Sequence, residues 1–256
     1  MKTHLYLFWA LLLCLAIILS ACSSIITTQQ SQTGQPPTTS TATTNATAAT
    51  SKVDTTPTPI STSKASGLHY EKLDMLSSYK IVTISEALAG PAKGVIFQFD
   101  AKHLPGEKAY QATASSSRDG GEFKSMEECI VIGSNKWVKP YGKDWTTGDS
   151  IAGDYLIFIN VLYLTLSKGT SEKIDETTVS GIPAVHYSIQ YETKSTRMIG
   201  EVWIANQSGM QPVPLKASFE QMALDEKGAV IDDSRHSKTT FEVDEVNTTI
   251  SIKAPI

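Results

Sequence analysis

The chain is short of cysteine, of positive charge and of long apolar runs, and each shortage removes a class of protein. The formal net charge is -4 and Lys and Arg are nowhere clustered, whereas a nucleic-acid binder shows a basic footprint. No Gly-x-Ser-x-Gly, His-Glu-x-x-His, Walker loop or Rossmann glycine fingerprint occurs, which weakens an enzymatic reading. Beyond His4 the histidines are His69, His103, His186 and His236. No two stand at metal-ligand spacing, and no metal or cofactor is implied. Glu127-Glu128 and Asp232-Asp233 are adjacent acids; neighbours in a strand diverge, so neither pair reads as a general acid and base. His186 falls on the polar side of its strand and reads as a surface histidine.

The longest apolar run, Leu5 to Leu19, is about 15 residues, short of the roughly 20 a spanning helix needs. It follows a short polar start with Lys2 and His4, and it ends in Leu19-Ser20-Ala21-Cys22. A short apolar core with small residues at its end is the pattern of an export signal. Small residues directly before a cysteine resemble the lipobox of bacterial lipoprotein precursors. That resemblance implies a signal peptide over 1–21, cut before Cys22, and a diacylglyceryl group on the Cys22 thiol. An ordinary secretory signal and a plain transmembrane anchor are the competing readings. Two or more acyl chains hold where one holds marginally, each buried methylene contributing roughly 0.8 kcal/mol. Cys14 then leaves with the signal and Cys129 stands alone, so no intramolecular disulfide is available. Cys129, in "SMEECIVIG", reads as a small buried hydrophobe rather than a reactive thiol.

From Ser23 to Ser66 the composition shifts to Ser, Thr and Pro without aromatics. Such a segment buries too little apolar surface to offset its chain entropy. Residues 22–66 are therefore expected to form a lipidated cysteine and a disordered tether. At roughly 44 residues its r.m.s. reach would be about 35–40 Å, and its composition permits O-glycosylation.

The remainder, 67–256, reads as one domain of alternating strands. In "KGVIFQFDAKH", Val95, Phe97, Phe99 and Ala101 share a face. In "PAVHYSIQYET", Val185, Tyr187, Ile189 and Tyr191 do so. Seven further stretches alternate likewise, many separated by turns such as Pro105-Gly106 and Asp119-Gly120-Gly121. That is an antiparallel meander with one buried face. One segment differs. Between Gly148 and Gly169, Ile151, Tyr155, Phe158, Ile159, Leu162, Tyr163 and Leu166 recur at three and four, which predicts a helix. Asp149 or Ser150 would cap its start and Gly169 its end. Its β-branched and aromatic content keeps a strand reading open. From Leu156 to Leu166 it is apolar nearly all round, so it is buried on more than one side or covers something greasy. Leu68 to Leu76 is expected as a short second helix.

Four stretches in order resemble the lipoprotein family that includes LppX and LprG, related in fold to the periplasmic lipoprotein carrier LolA. They are "IVIGSNKWVKPYGKDW", "IDETTVSGIPAVHYSIQYE", "GEVWIANQSGMQPVPLKASFE" and the closing "FEVDEVNTTISIKAP". Asn206, Met210-Gln211-Pro212 and Pro214 depart from the family's wording in one loop. The resemblance implies an α+β, mostly β fold: a strongly curved antiparallel half-barrel with one or two helices over its concave face. It implies no catalytic residues and a role in binding or carrying lipids. The apolar lining would then be Val95, Phe97, Phe99, Tyr155, Phe158, Leu162, Tyr187, Ile189, Trp203 and Phe219. A non-catalytic structural or sensory module with a packed core, resembling RseB, is the alternative. The expected partners are a membrane, through the lipid on Cys22, and a lipid or lipidated ligand. The chain is expected to be a monomer held on the extracytoplasmic side of a membrane.

Overall fold

Alternation builds the sheet. In β2 (Tyr79–Ala87), Tyr79, Ile81, Thr83 and Ser85 are buried while Lys80, Val82 and Ile84 between them are partly exposed. β3 (Val95–Leu104) pairs antiparallel, setting Ala101 opposite Ile81, Phe99 opposite Thr83 and Phe97 opposite Ser85. One register thus gathers one face of both strands, as the period of two requires.

The computed structural model describes residues 65–66, 68–231 and 236–255. The signal, Cys22, nearly all of the tether and Asp232-Asp233 lie outside them. The described residues belong to one compact unit, Thr62–Ile256. In chain order the other strands are β1 (Ala65–Ser66), β4 (Ala109–Arg118), β5 (Lys124–Ile132), β6 (Asn135–Pro140), β7 (Thr146–Thr147), β8 (Thr170–Val179), β9 (Ile182–Glu192), β10 (Thr196–Ala205), β11 (Pro214–Leu224), β12 (Val230–Ile231) and β13 (Ser237–Asp244). They form one thirteen-stranded sheet in the order β1-β8-β9-β10-β11-β13-β2-β3-β4-β5-β6-β7, with β12 beside β11. Every pairing is antiparallel. The path does not close, so this is the expected curved half-barrel. Gly200 marks tight coiling: a Cβ there would lie 2.5 Å from the Phe219 Cα on the next strand.

The helix is α1 (Tyr155–Lys168). Its start corrects the expected caps. Asp154 is the N-cap and makes no side-chain cap bond. Ser150 instead donates to Glu127 Oε1 at 2.5 Å and accepts from the Ala152 N–H at 3.0 Å. Asp149 pairs with Lys136 at 3.3 Å. The end is as expected: the Gly169 N–H donates to the Thr165 carbonyl at 2.7 Å. A Cβ on Gly169 would lie 2.5 Å from both the Thr165 and Gln190 carbonyl oxygens, so only glycine passes from helix to β8 here.

The second helix is absent. Leu68 to Leu76 runs as an irregular strap with one 3₁₀ turn, Leu73–Met75. Tyr70 donates to the Tyr163 carbonyl at 2.9 Å, and the Leu73 N–H donates to the Tyr163 hydroxyl at 2.8 Å. The Tyr70 and Tyr163 rings stack at 5.7 Å. These bonds hold the strap on α1 without the strap being helical. They also explain the all-round apolar helix, which meets the sheet on one side and this strap on another.

Candidate functional site

The site is the contact between α1 and the concave face. Ring packing defines it. Phe158 of α1 lies 6.0 Å from Phe99 of β3, and Tyr155 meets Tyr110 of β4 edge-on at 6.1 Å. Toward the C-terminal end of α1, the Thr165 hydroxyl sits 3.3 Å from the Met198 Sδ of β10. The helix therefore spans from β3–β4 to β10 and bridges both halves of the sheet. Tyr155 and Leu162 are fully buried at 0% exposure. Full burial of such side chains contributes about 1.5–3 kcal/mol each.

Nine of the ten expected lining residues fall on this interior. Val95, Phe99, Tyr155, Leu162, Ile189 and Phe219 are buried; Phe97, Phe158 and Tyr187 are half-buried and still packed against the core. Phe97 and Phe99 share β3's inner face, and Ile189 lies opposite Gly200, which faces Phe219.

Trp203 is the exception and corrects the expectation. Val202, at 0% exposure, takes the inner position, and Trp203 lies opposite His186 and Lys216 on the outer face. Its ring stacks on His186 at 4.2 Å and 7°, and Lys216 Nζ lies 5.6 Å from its centre. His186 is on the polar side, as expected, with Asp175 at 3.2 Å and Glu201 at 3.4 Å. Trp203 is thus shielded by neighbours on the outside of the sheet.

The interior also holds polar groups that the sequence reading missed. Tyr79 bonds His103, whose ring meets Tyr110 edge-on. Burial raises the hydroxyl pKa of Tyr79 and Tyr155, and pushes Tyr110 up to about 12. Burial lowers the pKa of His103 and so favours its neutral ring. The hydroxyls of Thr83 and Tyr155 are buried and find no hydrogen-bond partner among the described residues. Strand parity was the available signal: Tyr79 and Thr83 alternate with Lys80 and Val82. At the start of α1, Asp154 is pushed up to about 6, first by burial and then by Glu127, with Lys136 opposing.

Cys129 is buried at 0% exposure, and burial raises its thiol pKa; a thiol kept protonated is a poor nucleophile. Glu127 and Glu128 diverge, Glu127 toward Ser150 and Glu128 to Lys139 at 3.5 Å. Among the described residues no three His, Cys, Asp or Glu side chains gather as metal ligands. Nor is any described helix long and apolar enough to cross a membrane. Two clefts are found among the described residues; neither is lined by a residue of α1, but the second takes in Ile189 of the interior and Thr170, which directly follows the helix C-cap. One of about 940 Å³ runs between the β9–β10 turn and the Leu224–Gly228 turn. The other, of about 280 Å³, lies among β8, β9 and β10 beside Gly200.

No family model and no curated protein sequence matches the chain. Several solved structures are similar to it, two of which follow. The lipoprotein LppX of Mycobacterium tuberculosis aligns at 16% identity and a TM-score of 0.42, over 70% of this chain and 91% of that one. A DUF1329 family protein from Desulfovibrio piger aligns at 12% identity and a TM-score of 0.25, over 70% and 89%.

Proposed function

We propose that this chain is an outward-facing envelope lipoprotein, anchored through Cys22, that binds or carries an amphiphile between α1 and the concave face of its half-barrel. One observation carries the reading. An almost wholly apolar helix lies across the concave face, flanked by aromatic rings that are only half-buried, Phe97, Phe158 and Tyr187 among them. A lipid tail needs an apolar enclosure with few polar groups to orient its head. The unpartnered hydroxyls of Thr83 and Tyr155 supply such groups. A buried hydroxyl without a partner costs about 1–3 kcal/mol, which a ligand oxygen would relieve. The role is binding, not catalysis, by a monomer on the extracytoplasmic side of a membrane.

Lipid extraction and mass spectrometry of the purified mature chain test this directly. Co-purifying lipid, and uptake of a fluorescent fatty acid once that lipid is removed, are expected. A lipid-free protein that takes up no probe would sink the proposal.

The second reading is a packed structural or sensory module. It is favoured by the complete burial of Tyr155 and Leu162 and by two clefts that no residue of α1 lines. It expects cooperative unfolding that added lipid does not shift, whereas a ligand of the native state raises the midpoint by mass action.

A further inference from the structure

The β5–β7 edge of the sheet carries aromatic side chains that the proposed binding site does not use. Tyr141, directly after β6, is 76% exposed, and Phe123, directly before β5, is 40% exposed. The two lie at the same end of the hairpin, because the Tyr141 N–H donates to the Met126 carbonyl at 2.8 Å. Trp145 joins them: it precedes β7, and Lys139 Nζ of β6 lies 5.8 Å from its ring centre. Phe123 and Tyr141 are too exposed to hold the core together, and Trp145 is half-buried beside them.

The charges around these rings alternate in sign. Lys124, Lys139 and Lys143 are interspersed with Glu122, Glu128 and Asp144, and Lys139 pairs with Glu128 at 3.5 Å. A purely electrostatic membrane patch would be basic throughout. Balanced charge with Tyr, Trp and Lys side chains suits a zwitterionic headgroup layer instead. There the rings sit at the apolar boundary and the lysine stems extend past them.

We propose that the Phe123–Tyr141–Trp145 edge docks on the surface of a phospholipid bilayer. This inference rests on the proposed Cys22 anchor for its setting. A tether of the expected reach, about 35–40 Å, keeps the domain close enough for weak docking to operate. β7 is one terminus of the strand order and β1, where the tether joins, is the other. Docking by the β5–β7 edge therefore brings an edge of the open half-barrel to the bilayer without using the edge that the tether occupies.

The test uses the mature chain with Cys22→Ser, which carries no lipid and so reads docking alone. It is mixed with phosphatidylcholine vesicles, with and without phosphatidylglycerol. The expected result is co-sedimentation with both, little changed by salt, and a blue shift of tryptophan fluorescence that Trp145→Phe removes. The double variant Phe123→Ser/Tyr141→Ser should bind at least roughly tenfold more weakly, equivalent to about 1.4 kcal/mol. Its circular dichroism should be unchanged, because both side chains are exposed.

Three results would each overturn the proposal: no vesicle binding, binding that needs the anionic lipid and vanishes in high salt, or binding untouched by the double variant. An absence of vesicle binding would leave the patch to a protein partner. Palmitate labelling of the wild-type chain reads the anchor separately, so the two ideas fail independently.

Discussion

The Phe158 ring lies 6.0 Å from the Phe99 ring, tilted by 47°, and this is where α1 meets the middle of the sheet. Phe158 is half-buried while its neighbour Ile159 is buried. A carboxylate at Phe158 can therefore reach water, but it would place charge against any acyl chain between the two rings. Phe158→Asp should abolish uptake of a fluorescent fatty acid and leave the circular dichroism of the sheet intact. If the same change simply unfolds the protein, the packed-core reading gains.

Trp203 should behave oppositely. Its ring is held on the outer face between His186 and Lys216. Trp203→Ala removes a stack and a cation–π contact, at a cost of about 1–3 kcal/mol. Thermal unfolding should register that loss while probe uptake stays at the wild-type level. A fall in uptake with unchanged stability would place Trp203 in the ligand path and contradict its outer position.

How far the sequence was legible follows from these residues. β3 alternates from Phe97 to Lys102 and β9 from Val185 to Tyr191, so Phe97, Phe99, Tyr187 and Ile189 could be assigned a face from the sequence. β10 could not be read that way: Val202, Trp203, Ile204 and Ala205 are consecutive apolar residues. With both faces apolar, parity says nothing, and only pairing with His186 and Lys216 shows the ring outside. β8 was missed for the converse reason. From Lys173 to Thr178 every residue is exposed, as suits a charged edge strand, and little apolar alternation remains. The strap from Leu68 to Leu76 has helix-like apolar spacing, yet its own backbone bonds close only one 3₁₀ turn, and its other bonds go to Tyr163 and Pro212.

Gly200 allows the close approach of β10 to β11. Its missing side chain would point at the backbone of Ser218 and Phe219, which cannot swing aside as a flexible side chain does. Gly200→Ala should therefore destabilise the domain by about 1–3 kcal/mol. The shift should appear in the denaturant midpoint. An unchanged midpoint would mean the two strands separate there freely.

Acid titration isolates Asp154. Its carboxyl is pushed up to about 6 by burial and by Glu127, so the native chain holds this proton more tightly than the unfolded chain. The stability it contributes is full below the unfolded value of 3.8 and is lost as pH rises through about 6. His103 works in the other direction. Burial lowers its pKa from 6.5, so its contribution is present above that value and is lost as pH falls through the lowered one. The opposed slopes overlap near pH 6, so the wild-type profile alone can look flat. The informative quantity is the difference in midpoint between wild type and Asp154→Asn. It should move against the wild type from pH 4 to pH 7, and a pH-independent difference would remove Asp154 from the account.

The lipobox reading turns on a single atom. Only a thiol can form the thioether that Leu19-Ser20-Ala21-Cys22 implies, and a serine hydroxyl at position 22 is a poor substitute. With Cys22→Ser, radioactive palmitate should no longer label the chain in cells, and the protein should leave the membrane fraction. The docking edge at Tyr141 does not rescue anchoring in that experiment, because dilution releases a weak interfacial contact and does not release two or more acyl chains. A variant that still labels, or that resists washing as the wild type does, would show that another group carries the lipid or that residues 5–19 stay in the membrane.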